Sequence, residues 1–110
     1  MELTRIKRKI AFISGASSGI GKAVAEKLAQ MGVNLIICAR RAEVLTELKT
    51  QLEKEHAVEV ITLAFDVRNY QEVAKNIQSL PEKWRQIDIL INNAGLAIGL
   101  QHLYTYAIQD

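Results

Sequence analysis

Residues Ser14-Gly15-Ala16-Ser17-Ser18-Gly19-Ile20-Gly21 carry the spacing of a phosphate cradle. A short apolar run ends directly in this stretch, and an amphipathic helical pattern starts at Gly19. In such a loop one glycine permits a tight turn. A second lets a phosphate approach the backbone, and a third lets the helix pack close to the strand. The free N–H groups at the helix start, with their partial positive charge, then face a pyrophosphate. Gly15, Ser17, Ser18, Gly19, Ile20 and Gly21 are therefore candidate nucleotide contacts, with the two serine hydroxyls as extra donors. A P-loop reading of Gly21-Lys22 fails on spacing. That motif needs glycine where Ala16 stands and Ser or Thr where Ala23 stands.

The second chemical signal lies at the end of the next apolar run. A carboxylate there would hydrogen-bond the free 2′-hydroxyl of NAD, but the chain reads Cys38-Ala39-Arg40-Arg41, with no acid before Glu43. A guanidinium can fork onto a 2′-phosphate and cannot replace the carboxylate. NADP is therefore expected in preference to NAD, with Arg40 the principal contact and Arg41 beside it.

The elements that must position these residues follow from two alternating periods. Ile10–Ile13, Val33–Cys38, Val58–Phe65 and Ile87–Ile91 are short apolar runs rich in β-branched residues, the pattern of strands buried on both faces. Between them, Ile20, Val24, Leu28 and Met31 form a helical stripe that Gly32 stops. Val44, Leu45, Leu48 and Leu52 form a second stripe, and Val73, Ile77 and Leu80 a third. Asn69 and Glu72 are spaced as an N-cap with a capping-box partner, and Pro81 closes the third helix. Strands alternating with helices of this length must run parallel, with right-handed crossovers. The expected fold is α/β: a Rossmann-like, doubly wound parallel sheet of about four strands with three crossover helices, in one domain over residues 1–110. Leu96 to Asp110 show no clear period.

Composition narrows the class of partner. The chain has 110 residues and a formal charge of +2, too small an excess for a nucleic-acid binder. Arg5, Lys7, Arg8 and Lys9 read as a solvated lead-in to the first strand. The apolar runs fall well short of the ~20 residues of a membrane span, and the N-terminus lacks a signal peptide's h-region. With Cys38 as the single cysteine, no intramolecular disulfide can form, and a reducing, cytoplasmic setting is expected. No metal site is expected.

Together these motifs resemble the short-chain dehydrogenases/reductases. Ser14 to Gly21 is similar to that family's T-G-x-x-x-G-x-G motif, with serine in place of threonine. Asp66-Val67, after the third run, resembles its adenine-contacting pair, and Asn92-Asn93-Ala94-Gly95 its most recognisable short motif. The resemblance covers residues 9 to 99 and implies strand order 3-2-1-4. It also implies that the backbone around Asn93, Ala94 and Gly95 lies near the nicotinamide ribose, while Asn92 steadies the sheet. Ser79 to Gly99 is closer still to NADP-dependent dehydrogenases of serine and other 3-hydroxy acids. The implied activity is hydride transfer between NADP and an alcohol or carbonyl.

The departures concern catalysis. The family uses a serine and a tyrosine with a lysine four residues on, the lysine lowering the tyrosine's pKa. Here Tyr104 is followed at that spacing by Ile108 and Tyr106 by Asp110, and no lysine follows Lys83. No catalytic residue is assigned. The chain is expected to be a cofactor-binding fragment, inactive alone, that would act on an alcohol or carbonyl only if a second half completed it. The alternative is a non-catalytic nucleotide-binding or assembly module. With later strands missing, Ile87–Ile91 would become an exposed apolar edge and a route to self-association.

Overall fold

The computed structural model describes residues 7–93. The order of elements is β1 (Ile10–Ser14), α1 (Gly19–Gln30), β2 (Asn34–Ala39), α2 (Ala42–Glu55), β3 (Val60–Ala64), α3 (Tyr70–Gln78), a 3-10 turn (Glu82–Arg85) and β4 (Ile89–Asn92). The four strands form one sheet in the order β3-β2-β1-β4, all neighbours parallel. This is the Rossmann-like α/β arrangement and strand order expected from the sequence. The strand bounds differ from the apolar runs by one or two residues. β4 starts later than Ile87 because Asp88 docks first: its N–H donates to Ile10 O at 2.9 Å, and its Oδ2 accepts from Ile10 N at 2.9 Å.

Period-two alternation in the strands feeds two separate cores. Ala11, Ile13, Leu35, Ile37 and Ala39 face α1 and α2, while Phe12, Ile36 and Cys38 face α3, Leu80 and Trp84. Neither face of β1 or β2 meets water, which is why their sequences read as continuous apolar runs.

Helix α1 departs from the expected stripe. Ile20 is 70% exposed, and Val24, Leu28 and Met31 pack only partly against the first core. The fully seated face is Gly21, Ala25 and Ala29, small residues one turn apart that bring the helix axis close to the sheet. At its end, Gly32 takes φ +82°, Val33 N donates to Leu28 O at 3.1 Å and Gly32 N to Ala29 O at 3.0 Å. That pair of bonds is a Schellman stop.

The other stripes behave as expected. Leu45, Leu48 and Leu52 are buried on α2, with Val44 half-buried. Val73, Ile77 and Leu80 are buried in the second core. Asn69 Oδ1 accepts from Gln71 N at 3.1 Å and Glu72 N at 3.2 Å, so the N-cap forms. The capping box does not. Asn69 N donates instead to Asp66 O at 3.0 Å, and the Glu72 carboxylate accepts from Asn76 Nδ2 at 3.4 Å.

Strand β3 closes one side of the sheet, and α2 covers part of its outer edge. Glu53 Oε2 accepts from Val60 N at 2.9 Å and Lys49 Nζ donates to Val60 O at 2.7 Å. The pair supplies the partners that a further strand would provide, a protection that edge strands need.

Cys38 is buried in the second core, its thiol facing Phe65 O at 3.8 Å, and burial pushes its pKa up to about 12. A raised thiol pKa stabilises the fold below the unfolded value of roughly 8.5, and this contribution fades as pH climbs toward the folded value. Two outcomes follow. Iodoacetamide at pH 8 should leave Cys38 unmodified until denaturant is added. Urea stability should fall between pH 9 and 11 more steeply in the native chain than in Cys38→Val, and equal slopes would show that Cys38 is not the group responsible.

Candidate functional site

Because all four strands are parallel, their carboxyl ends share one rim, and the described residues of each motif fall on it. Gly15–Ser18 follow β1, Arg40 and Arg41 follow β2, Asp66 and Val67 follow β3, and Asn93 follows β4. The connection from β1 runs to β2 on one side, and β4 lies on the other. In open α/β sheets, that reversal opens the crevice in which ligands bind.

Each glycine of the loop has a different physical reason. Gly15 has φ +65°, the left-handed turn that diverts the chain off β1. A Cβ on Gly21 would lie 2.3 Å from Gly15 O, 3.0 Å from the Ala16 Cα and 3.0 Å from Asn93 Nδ2, so no side chain fits. A Cβ on Gly19 would meet nothing within 4 Å. Among the described residues nothing requires Gly19 to be bare, but a group approaching the first turn of α1 from outside would.

Ser18 serves the loop rather than pointing free. Its hydroxyl donates to Gly15 O at 3.0 Å and accepts from Gly21 N at 3.1 Å, capping α1. The Asn93 amide donates to Gly15 O at 3.0 Å and also to Ser18 Oγ. The helix-capping role was legible in a serine directly before the helix start. The reach of Asn93 was not, because it spans 78 residues of sequence. Ser14, fully buried, donates to Ile91 O at 3.4 Å and Asn92 Oδ1 at 3.3 Å, tying β1 to β4 as expected for Asn92. Ser17 is half-buried beside the loop and Ile20 projects from the first turn.

Arg40 and Arg41 are both exposed. Val67 is buried in the second core. Asp66 is engaged by a residue the sequence reading did not single out. Arg68 reaches its carboxylate through the backbone N at 3.0 Å, through Nε at 3.0 and 3.1 Å, and through NH2 at 2.7 Å. These bonds hold the Asp66 carboxyl down at about 2, with a smaller contribution from the Arg40 charge. An aspartate two residues before an arginine is the available signal, since Asp side chains bond the backbone two residues on. Ala94, Gly95, Tyr104 and Tyr106 lie outside the described residues. Among the described residues, no group of His, Cys, Asp and Glu could hold a metal, and no helix is long and apolar enough to cross a membrane.

A capped helix start over a bare glycine, at the reversal point of a parallel sheet, is the arrangement at which α/β proteins of this class hold nucleotides. The chain belongs to the short chain dehydrogenase family, whose model matches residues 9–109. It is 40% identical over 109 residues to an NADP-dependent 3-hydroxy acid dehydrogenase of Schizosaccharomyces pombe, covering 98% of this chain and 42% of that protein. It is 45% identical over 92 residues to sulfoacetaldehyde reductase 2 of Chromohalobacter salexigens, covering 84% and 36%. Among solved structures, L-sorbose reductase of Gluconobacter frateurii, complexed with NADPH and L-sorbose, matches with a TM-score of 0.74 and 30% identity, over 94% of this chain and 43% of that one. The chain thus spans about two-fifths of the length of the curated relatives it matches.

The glycine geometry separates two substitutions. Gly21→Ala should lose about 1–3 kcal/mol in urea unfolding, because its methyl meets backbone that cannot yield. Gly19→Ala should keep or slightly raise stability, since alanine is the better helix former and the space is open. Equal losses from the two would mean that the loop does not pack as described.

Proposed function

We propose that this chain is the cofactor-binding part of an NADP-dependent oxidoreductase that transfers hydride between the cofactor and an alcohol or carbonyl, a 3-hydroxy acid among the candidates. The observation that carries the reading is the open approach to Gly19 at a capped helix start, with arginines rather than a carboxylate after β2. NADP, when bound, supplies the hydride acceptor or donor. The residues of this chain bind and orient it. The N–H groups at the start of α1, with Gly15, Ser17, Ser18, Gly19, Ile20 and Gly21 around them, take the pyrophosphate. Arg40, with Arg41 beside it, takes the 2′-phosphate. Asp66 and Val67 border the adenine, and Asn93, Ala94 and Gly95 the nicotinamide ribose. The names of the relatives, and the NADPH in the sorbose reductase structure, support this reading.

The 110 residues hold no tyrosine with a lysine four positions on. We therefore propose that this chain, taken alone, binds cofactor without turnover. The alternative is a non-catalytic nucleotide-binding or assembly module, and a cytoplasmic setting and self-association through β4 complete the proposal.

Two measurements test it. Calorimetry should give tighter binding of NADP than of NAD, and Arg40→Ala should reduce that preference ~10- to 150-fold, the equivalent of a charge-assisted hydrogen bond of roughly 1.5–3 kcal/mol. Equal affinity of the unmodified chain for both cofactors would refute the NADP reading. Gly19→Val, still folded by circular dichroism, should bind neither cofactor. Retained binding would place the nucleotide elsewhere.

A further inference from the structure

Among the described residues, Asp66 is the one carboxylate on the loops that leave the carboxyl ends of the four strands. It lies after β3, the neighbour of β2, and the bond from Phe65 N to Ala39 O at 3.0 Å carries the sheet register on to the positions just before Asp66 and Arg40. A carboxylate in that place has two effects on a phosphate held at Arg40. It repels the phosphate directly, and it competes for the same guanidinium. Neither effect touches a cofactor with a free 2′-hydroxyl.

In this structure Arg68 engages the Asp66 carboxylate, and Arg40 acts on it only weakly. Both carboxylate oxygens accept from the Arg68 side chain, and Oδ1 also accepts from the Arg68 backbone N–H. A carboxylate offers about four lone-pair sites. The fork of Nε and Nη2, with the backbone N–H, thus takes up the lone pairs that Arg40 would otherwise compete for, and it offsets the charge a phosphate would face.

We propose that Arg68 is a specificity-determining residue: by neutralising Asp66 it leaves Arg40 free for the 2′-phosphate, and so sets the preference for NADP over NAD. The inference rests on the cofactor reading above and adds a second arginine to it, one that acts on the phosphate through its neighbour. Arg68 follows a different strand from Arg40, so the preference is distributed over the ends of β2 and β3.

The experiment is a set of dissociation constants for NADP and NAD, measured by calorimetry on the full chain at low ionic strength and again in added salt. Arg68 is exposed and its side chain packs into neither core, so its variants should fold, and circular dichroism checks this. Arg68→Met should lower the NADP-to-NAD preference about 3- to 5-fold, an effect that shrinks in salt as exposed charge interactions do. Arg68→Lys, which keeps the charge but loses the fork, should lower the preference less than Arg68→Met does. Adding Asp66→Asn to Arg68→Met should restore the preference, whatever it does to the absolute affinities, because no carboxylate then remains to neutralise. A loop-ordering role for Arg68 would weaken both cofactors equally and would not be rescued by Asp66→Asn. Either result overturns the proposal. An unmodified chain that shows no preference for NADP fails earlier, on the cofactor reading itself. A preference in the unmodified chain that survives Arg68→Met unchanged overturns this inference alone.

Discussion

The structure depends on one close approach. The backbone of α1 at Gly21 lies so near the carbonyl of Gly15 that a single methyl group would collide with it. That carbonyl belongs to the turn that leaves β1, so the contact fixes the angle and distance at which the helix starts. The Asn93 amide fills the remaining space and binds the same carbonyl, which ties the end of β4 into the same point. Ser18 closes the arrangement by capping the helix and accepting from Asn93. Strand, helix start and neighbouring strand are held by a few polar bonds around a position with no side chain. The first-turn N–H groups keep a fixed direction as a result, and binding an anion there needs no reordering of the loop.

The same constraint explains how α1 packs. A helix pinned close to the sheet at Gly21 can continue along it only with small residues on that face, and Ala25 and Ala29 supply them. The larger Val24, Leu28 and Met31 are displaced to its flanks and fill the space beside it. Ile20 stands on the opposite side of the first turn from the sheet and remains exposed. Its exposure is thus a consequence of where Gly21 must be.

Much of this was legible in the sequence, and the reasons for success and failure are physical. Continuous apolar runs separated by helical stripes specify a parallel sheet, because only strands buried on both faces need such runs. The glycine loop was recognisable because its context, strand before and helix after, is local. Reading the longest apolar residues as the core face of α1 failed, since periodicity weighs hydrophobic size and close packing selects for smallness. The capping box failed for a related reason: Glu72 has the right spacing, but the Asn69 N–H already has the Asp66 carbonyl as its partner. Bonds such as Asn93 to Gly15, or Glu53 and Lys49 to Val60, join residues brought together only by topology. No local pattern announces them.

The rim shows how the sheet converts sequence-distant residues into one electrostatic surface. Each parallel strand ends on the same side, so four separate loops contribute to one row, in the order Asp66, Arg40, Gly15, Asn93 across β3, β2, β1 and β4. The start of α1 and Arg40 follow neighbouring strands, and the single carboxylate of these loops among the described residues is held by Arg68. A helix start alone attracts any anion, and an exposed arginine alone attracts any phosphate. In this row the strand spacing of about 4.8 Å sets the separation between neighbouring contributions, a spacing that suits a ligand carrying two negative groups. On the cofactor reading proposed above, the sheet's geometry sets the spacing of the two phosphate positions and the Arg40 side chain supplies the charge that selects for the second.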